Sequence, residues 1–167
     1  MKKIGIFYGS STGTTERVAY ELAESLGVDA GDVHDVARTS PDALGGYDVL
    51  LLGASTWGVG EVQDDWRDFL NGAQVLDLSA KVFGVFGCGD ETMTDTFCSG
   101  MGELYNDFVK TGAHPIGEFN ADGYEFEHSD AEIGGAFIGL VLDEVNHPEL
   151  SHGRIQEWSK KIMCQIA

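Results

Sequence analysis

The chain has 167 residues, 43% of them apolar, and a formal net charge of −18 from 28 acidic and 10 basic side chains. That is enough for one domain with a core, and apolar residues arriving in blocks argue against disorder despite the charge. Binding to a nucleic-acid backbone or an anionic membrane face is excluded, because the bases are scattered and only Lys2–Lys3 and Lys160–Lys161 are adjacent.

The first apolar run, Ile4 to Tyr8, is unbroken and ends at Gly9. Such a run suits a strand buried on both faces. The stretch Gly9-Ser10-Ser11-Thr12-Gly13-Thr14-Thr15 then opens a helix with Val18, Leu22 and Leu26 at i, i+4 and i+8. A weaker strand is expected near Asp32 to Val36. The run Val49 to Leu52 ends at Gly53, and a loop over Gly53 to Gly60 leads into a helix carrying Trp66, Phe69 and Leu70. A third strong run, Val82 to Phe86, ends at Gly87, and the loop after it precedes a helix with Phe97, Met101, Leu104, Tyr105 and Phe108 in register.

A fifth strand is split between His114 to Phe119 and Phe137 to Leu142, because residues 120–136 are polar, rich in turn formers, and read as an inserted loop. Ile155, Trp158, Ile162 and Ile166 mark a terminal helix. The alternation implies an open α/β sheet of parallel strands, built as one domain over residues 1–167.

Cys88, Cys98 and Cys164 are an odd count without CxxC spacing, and with five scattered histidines they suggest no metal site. Reduced thiols fit the cytosol. The opening MKKIGIFYG is too short for a signal h-region and no run approaches the roughly 20 residues of a membrane span, so a soluble cytoplasmic protein is expected.

In an open doubly wound sheet, ligands bind beyond the carboxyl ends of the strands. The loop after the first strand has five hydroxyl residues in seven, two glycines and no charge. With the backbone N–H groups and partial positive charge of a helix N-terminus, it describes a phosphate cradle without a cation. Lacking the lysine of GxxxxGK[ST], it suits a monoester phosphate rather than a nucleoside triphosphate. In the second loop, Ser55-Thr56-Trp57-Gly58-Val59-Gly60, an indole sits among small residues where a planar ring could stack. The third, Gly87-Cys88-Gly89-Asp90-Glu91-Thr92-Met93-Thr94-Asp95-Thr96-Phe97-Cys98, allows close backbone approach at its glycines. A flat heteroaromatic mononucleotide fits the three together.

These residues resemble the flavodoxins, specifically the long-chain group. Ser10-Ser11-Thr12-Gly13-Thr14-Thr15 match that family's FMN-phosphate loop, Thr56-Trp57 the first flavin-stacking loop, and Gly87-Cys88-Gly89-Asp90 with Phe97-Cys98 the second. Asp122-Gly123-Tyr124-Glu125-Phe126-Glu127 is similar to the long-chain insertion, and Phe137 to Leu140, Leu142 to Glu144 and Asn146 to the segment after it. The resemblance spans the chain.

It implies a flavodoxin-like sheet of order 2-1-3-4-5, helices on both faces and a fifth strand interrupted by the insertion. It also implies non-covalent FMN held by Ser10, Ser11, Thr12, Gly13, Thr14, Thr15, Ser55, Thr56, Trp57, Gly58, Gly60, Cys88, Gly89, Asp90, Met93, Thr96 and Cys98. A Tyr usually covers the second flavin face in this family. Here the chain is one residue shorter after Asp90, and counting back from Phe97-Cys98 puts Met93 there, so either Met93 lies over the ring or that face is open. Main-chain groups of Thr96 and Cys98 are expected near the pyrimidine edge.

The implied function is one-electron transport between neutral semiquinone and anionic hydroquinone, without a catalytic residue. A charge of −18 with an uncharged cradle disfavours the anionic state, at about 59 mV per tenfold bias. The acceptor for the semiquinone N5–H would be a loop carbonyl exposed by a peptide flip at Gly58, which glycine makes accessible. The charge is uneven, −4 over residues 1–60, −16 over 61–150 and +2 over 151–167. Glu61, Asp64, Asp65, Asp68, Asp90, Glu91 and Asp95 are therefore expected to steer docking by redox enzymes. The family's partners include ferredoxin–NADP reductase, pyruvate oxidoreductase and nitrogenase, met by a monomer.

Three other readings compete. A phosphoacceptor receiver would need acids after the first strand and an Asp ending the third, where Gly9-Ser10 and Gly53 stand. An FMN-dependent NAD(P)H:quinone reductase shares the fold, and the insertion favours the carrier over it. An FMN-free interaction module would be colourless.

Overall fold

The computed structural model describes residues 1–57, 61–62, 64–93 and 95–167, without the side chains of Trp57 and Glu61. Five parallel strands form the sheet: β1 (Ile4–Tyr8), β2 (Val33–Asp35), β3 (Val49–Trp57), β4 (Val82–Gly89) and β5 (Gly139–Asp143). Their order is 2-1-3-4-5, so the sheet reverses direction of growth between β1 and β3. Ile6 pairs with both Val33 and Leu51, Leu51 with Gly84, and Val85 with Gly139. All five residues of β1 and all five of β5 are buried, as the unbroken apolar runs require of strands covered on both faces.

Among the described residues four α-helices supply the cover: α1 (Thr14–Leu26), α2 (Asp64–Ala73), α3 (Ser99–Val109) and α4 (Pro148–Ile166). α1 packs on α4, and α2 on α3. A side chain at Gly84 would meet Trp158 of α4, whereas one at Gly87, three residues along the same strand, would meet Met101 of α3. Odd spacing in a strand means opposite faces, so α3 and α4 lie on opposite sides. The apolar helix stripes point inward: Val18, Leu22, Trp66, Met101, Leu104, Phe108, Ile155, Trp158 and Ile162 are fully buried. Between β2 and β3 the chain makes only a 3-10 turn, Pro41–Gly46, with Ser40 as its cap.

The fifth strand comes in two pieces. His114–Pro115 pairs with Val82 and Phe83 at the start of β4, and β5 resumes the pairing from Val85 onward. Gly139 marks the resumption, because a Cβ there would lie 1.8 Å from the Val85 carbonyl oxygen. The intervening residues depart from the expected loop. They carry a small antiparallel sheet in which Ala136–Phe137 lies between Phe119–Asn120 and Glu132–Ile133. Phe137 packs against Phe97, Tyr124 and Phe126 with ring centroids 6.2, 5.0 and 5.3 Å away, and the Tyr124 hydroxyl donates to the Val141 carbonyl at 2.6 Å. The insertion is thereby fastened to β5 and to the segment ahead of α3. Among the described residues no helix is long and apolar enough to cross a membrane.

Candidate functional site

The carboxyl ends of β1, β3 and β4 lie side by side, with Tyr8 paired to Gly53 and Ser55 to Cys88. The segment between β1 and α1 is tied to β3 by the Gly9 N–H, which donates to the Gly53 carbonyl at 3.0 Å. Gly13 is the N-cap of α1 at φ 88°, a left-handed conformation that favours glycine, and has no side chain with which to cap the helix. The first N–H groups of α1 thus lack a side-chain acceptor from the N-cap residue, a state that suits a helix terminus to an anion. The Gly13 N–H itself turns back to the Ser10 hydroxyl at 3.0 Å. Ser11 and Thr12 are exposed, Ser10 and Thr14 half-buried. This cradle fits a phosphate monoester.

Thr15 is placed differently from the rest of its loop. It is fully buried, with Oγ1 2.7 Å from Ser55 Oγ. Burial pushes the Cys88 thiol up to about 12, partly offset by its hydrogen bond with Thr15, so the sulfur stays a neutral thiol. The first turn of α1 is thus tied to the end of β3. Arg17, the nearest cation in α1, pairs with Glu21 at 3.6 Å and with Glu144. Its charge is held by carboxylates, consistent with an uncharged cradle.

The second segment is more regular than the sequence implies. β3 continues through Ser55 and Thr56 to Trp57, and then turns antiparallel, pairing Thr56 with Val62 and Trp57 with Glu61. Residues Gly53–Trp57 are strand rather than loop, because these main-chain groups find ladder partners on β4 and on the return strand. The Thr56 hydroxyl accepts from the Gly100 N–H of α3 at 3.0 Å, and Glu103 Oε2 from the Val62 N–H at 2.9 Å. Gly58 and Gly60 lie outside the described residues, as does the Trp57 side chain.

β4 likewise runs to Gly89, so the third loop begins at Asp90. The Asp90 carboxylate accepts from the Thr92 N–H at 2.8 Å, the Thr92 hydroxyl at 2.5 Å and Asn146 Nδ2 at 2.7 Å, which holds it below the usual Asp value. Met93 is 51% exposed at the loop's crest. The chain descends through successive turns, with the Thr96 N–H on Met93 O and the Ser99 N–H on Thr96 O. Thr96 is half-buried and Cys98 fully buried, where the latter adopts φ 51° and packs against Gly89.

One acid leaves the group expected to steer docking. Glu91 is 7% exposed, tucked under the insertion near His147, and burial raises its carboxyl above the ordinary Glu value. Asp64, Asp68 and Asp95 are exposed and Asp65 is half-buried. Sequence reasoning also assigned no role to Asn146, which fixes Asp90 from 56 positions away. The aromatic cluster on Phe97 was missed too, since its members are scattered over forty residues of polar chain.

A parallel sheet of this order, with an uncapped helix terminus and two further loops at the point where its growth reverses, defines a mononucleotide-binding α/β protein. The flavodoxin family model matches residues 6–158, so the chain belongs to the flavodoxin family. It is 42% identical to a flavodoxin of Haemophilus influenzae, over 99% of this chain and 97% of that one. With flavodoxin 1 of Escherichia coli K12 the identity is 41%, over 97% and 93%. The structure of Fusobacterium nucleatum flavodoxin bound to flavin mononucleotide superposes with a TM-score of 0.89, at 33% identity and 99% coverage of both chains.

Proposed function

We propose that this single-domain chain binds FMN non-covalently across the three strand ends and carries electrons between redox enzymes. The observation that carries the reading is the uncapped α1 terminus behind Gly13, set beside Ser55 and Cys88. The phosphate would meet Ser10, Ser11, Thr12, Gly13, Thr14 and the main chain of Thr15. Ser55, Thr56, Trp57, Gly58 and Gly60 would flank one side of the ring, with the indole stacked on it. Cys88, Gly89, Asp90, Met93, Thr96 and Cys98 would flank the other, Met93 over the ring face and main-chain groups along the pyrimidine edge.

Bound FMN would supply one-electron chemistry. The protein positions it and sets the cost of charge. No base is described beside the cradle except Arg17, already engaged by two carboxylates. An added negative charge is therefore opposed by the −18 of the chain, and the couple is strongly reducing. Asp64, Asp65, Asp68 and Asp95 border the second and third loops and would draw basic faces of a ferredoxin–NADP reductase, a pyruvate oxidoreductase or a nitrogenase component toward a monomeric carrier in the cytoplasm.

The test is stepwise anaerobic reduction of the purified yellow protein followed by absorbance. A strong long-wavelength semiquinone band supports the carrier. A direct two-electron passage with rapid oxidation of NAD(P)H in the presence of a quinone overturns it in favour of a reductase.

A further inference from the structure

Glu91, Asp143 and His147 converge where the third loop, the end of β5 and the start of α4 meet, with one ligand atom from each lying within 4.8 Å of the others. None is assigned to the flavin. Asp143 is fully buried and Glu91 nearly so, and Glu91 Oε1 is buried without a hydrogen-bond partner. Two carboxylates placed together away from water are costly unless a positive charge joins them. Besides His147, the positive field at Glu91 comes from Arg154, which is stacked on the Tyr124 ring, 3.9 Å from its centroid.

His147 is oriented to complete the set. Its Nδ1 lies 3.3 Å from Glu149 Oε1 and its Nε2 3.5 Å from Glu91 Oε2. A carboxylate holding Nδ1–H leaves the Nε2 lone pair facing Glu91, the arrangement by which a second carboxylate fixes a metal-bound imidazole. Ligands at about 2.1 Å around a tetrahedral ion stand about 3.4 Å apart, close to the Glu91–His147 separation. A cleft of about 670 Å³, lined by Glu91, Thr92, Asn146, His147 and the insertion's Glu125 and Glu127, opens the cluster to solvent.

We propose that Glu91, Asp143 and His147 bind one divalent transition-metal ion. One imidazole nitrogen with two carboxylates suits zinc(II) better than calcium or magnesium, which prefer oxygen alone. The ion cancels the two buried negative charges. Asp143 is the constrained ligand, since Oδ1 accepts from Val145 N and Asn146 N and Oδ2 from Glu91 N and Asn146 Nδ2. Binding takes over the Oδ2 lone pair now used by the Asn146 amide, which retains its bond to Asp90. Occupancy thus fastens the loop carrying Asp90 and Met93 to the head of α4.

The experiment is calorimetric titration of chelator-washed holoprotein with zinc chloride. One equivalent is expected, with a rise in Tm. Glu91→Gln and His147→Gln each weaken binding at least tenfold, while Cys164→Ser and His152→Gln, at exposed alternative ligands, leave it unchanged. Far-UV circular dichroism and flavin absorbance identify any variant that fails to fold, and the chemical shift of the His147 imidazole in the wild type reports ligation independently. Binding that survives both site variants, or that is lost with Cys164→Ser or His152→Gln, means an adventitious ion only and overturns the proposal. Absence of binding by the wild type also overturns it.

Discussion

Thr15 Oγ1 lies 2.7 Å from Ser55 Oγ, joining the first turn of α1 to β3 beneath the candidate phosphate loop. Thr15→Val keeps the volume and removes the partner of Ser55, leaving a part-buried polar contact unmade at about 1–2 kcal/mol. In a chain of this size that lowers Tm by several degrees. FMN affinity should fall as well, because the first turn of α1 loses its tie to β3, and both changes are read by melting apo- and holoprotein in parallel.

Gly13 tests the cradle without disturbing the core. A Cβ there meets nothing within 4 Å, so Gly13→Ala has only the φ of 88° to contend with. Left-handed backbone at a non-glycine residue costs about 1–2 kcal/mol. Relaxation of that strain would turn the N–H groups of the loop away from the phosphate. The expected result is a modest loss of apoprotein stability in urea with a larger loss of FMN affinity, measured by flavin fluorescence quenching.

The strands and helix stripes were legible because continuous apolar runs and 3.6-residue periods are properties of neighbouring residues. The phosphate loop was legible for the same reason, its five hydroxyls lying within seven positions. What escaped depends on distant chain. Glu91 reads as another surface acid in a polar stretch, and its burial is imposed by Asp143 and the insertion, some fifty and thirty-five positions on. The insertion's strands are two residues long, too short for alternation to register. The end of β3 read as loop because Ser55 and Thr56 are polar, although their main-chain groups are satisfied by strand pairing.

The insertion should be coupled to the flavin site through Phe97. Phe137 is fully buried among Phe97, Tyr124 and Phe126. Phe137→Ala empties that cluster at about 3–5 kcal/mol and frees the segment ahead of α3 that includes Thr96 and Cys98. Tyr124→Phe removes only the bond to Val141 O, about 1 kcal/mol. Chemical denaturation should rank the two in that order, and faster FMN dissociation in Phe137→Ala would establish the coupling.

His34 gives the stability an acid-sensitive component. Its ring sits against Phe7 and bonds the Tyr47 hydroxyl, and burial lowers its pKa below the usual 6.5, with Lys3 lowering it further and Asp32 opposing. A depressed folded value means that the unfolded chain takes the proton first, so the contribution is present above about pH 6.5 and is lost as pH falls through the folded value. His34→Gln, which can keep the Tyr47 contact, should flatten this part of the curve. The wild-type minus variant difference in unfolding free energy, followed from pH 7.5 to 5, must shrink on acidification.

Exposed acids beside the second and third loops should set the rate of encounter with a basic redox partner rather than the strength of the final complex. Asp68 on α2 and Asp95 in the third loop are exposed. Raising ionic strength from 0.01 to 0.15 M shortens the screening length from about 30 Å to about 8 Å, so the second-order electron-transfer rate should fall steeply across that range. Asp68→Asn with Asp95→Asn should lower the rate at low salt and reduce its slope against ionic strength, while leaving the flavin spectrum unchanged. Stopped-flow measurement with a ferredoxin–NADP reductase gives both quantities, and a rate flat with salt would remove the steering role from these residues.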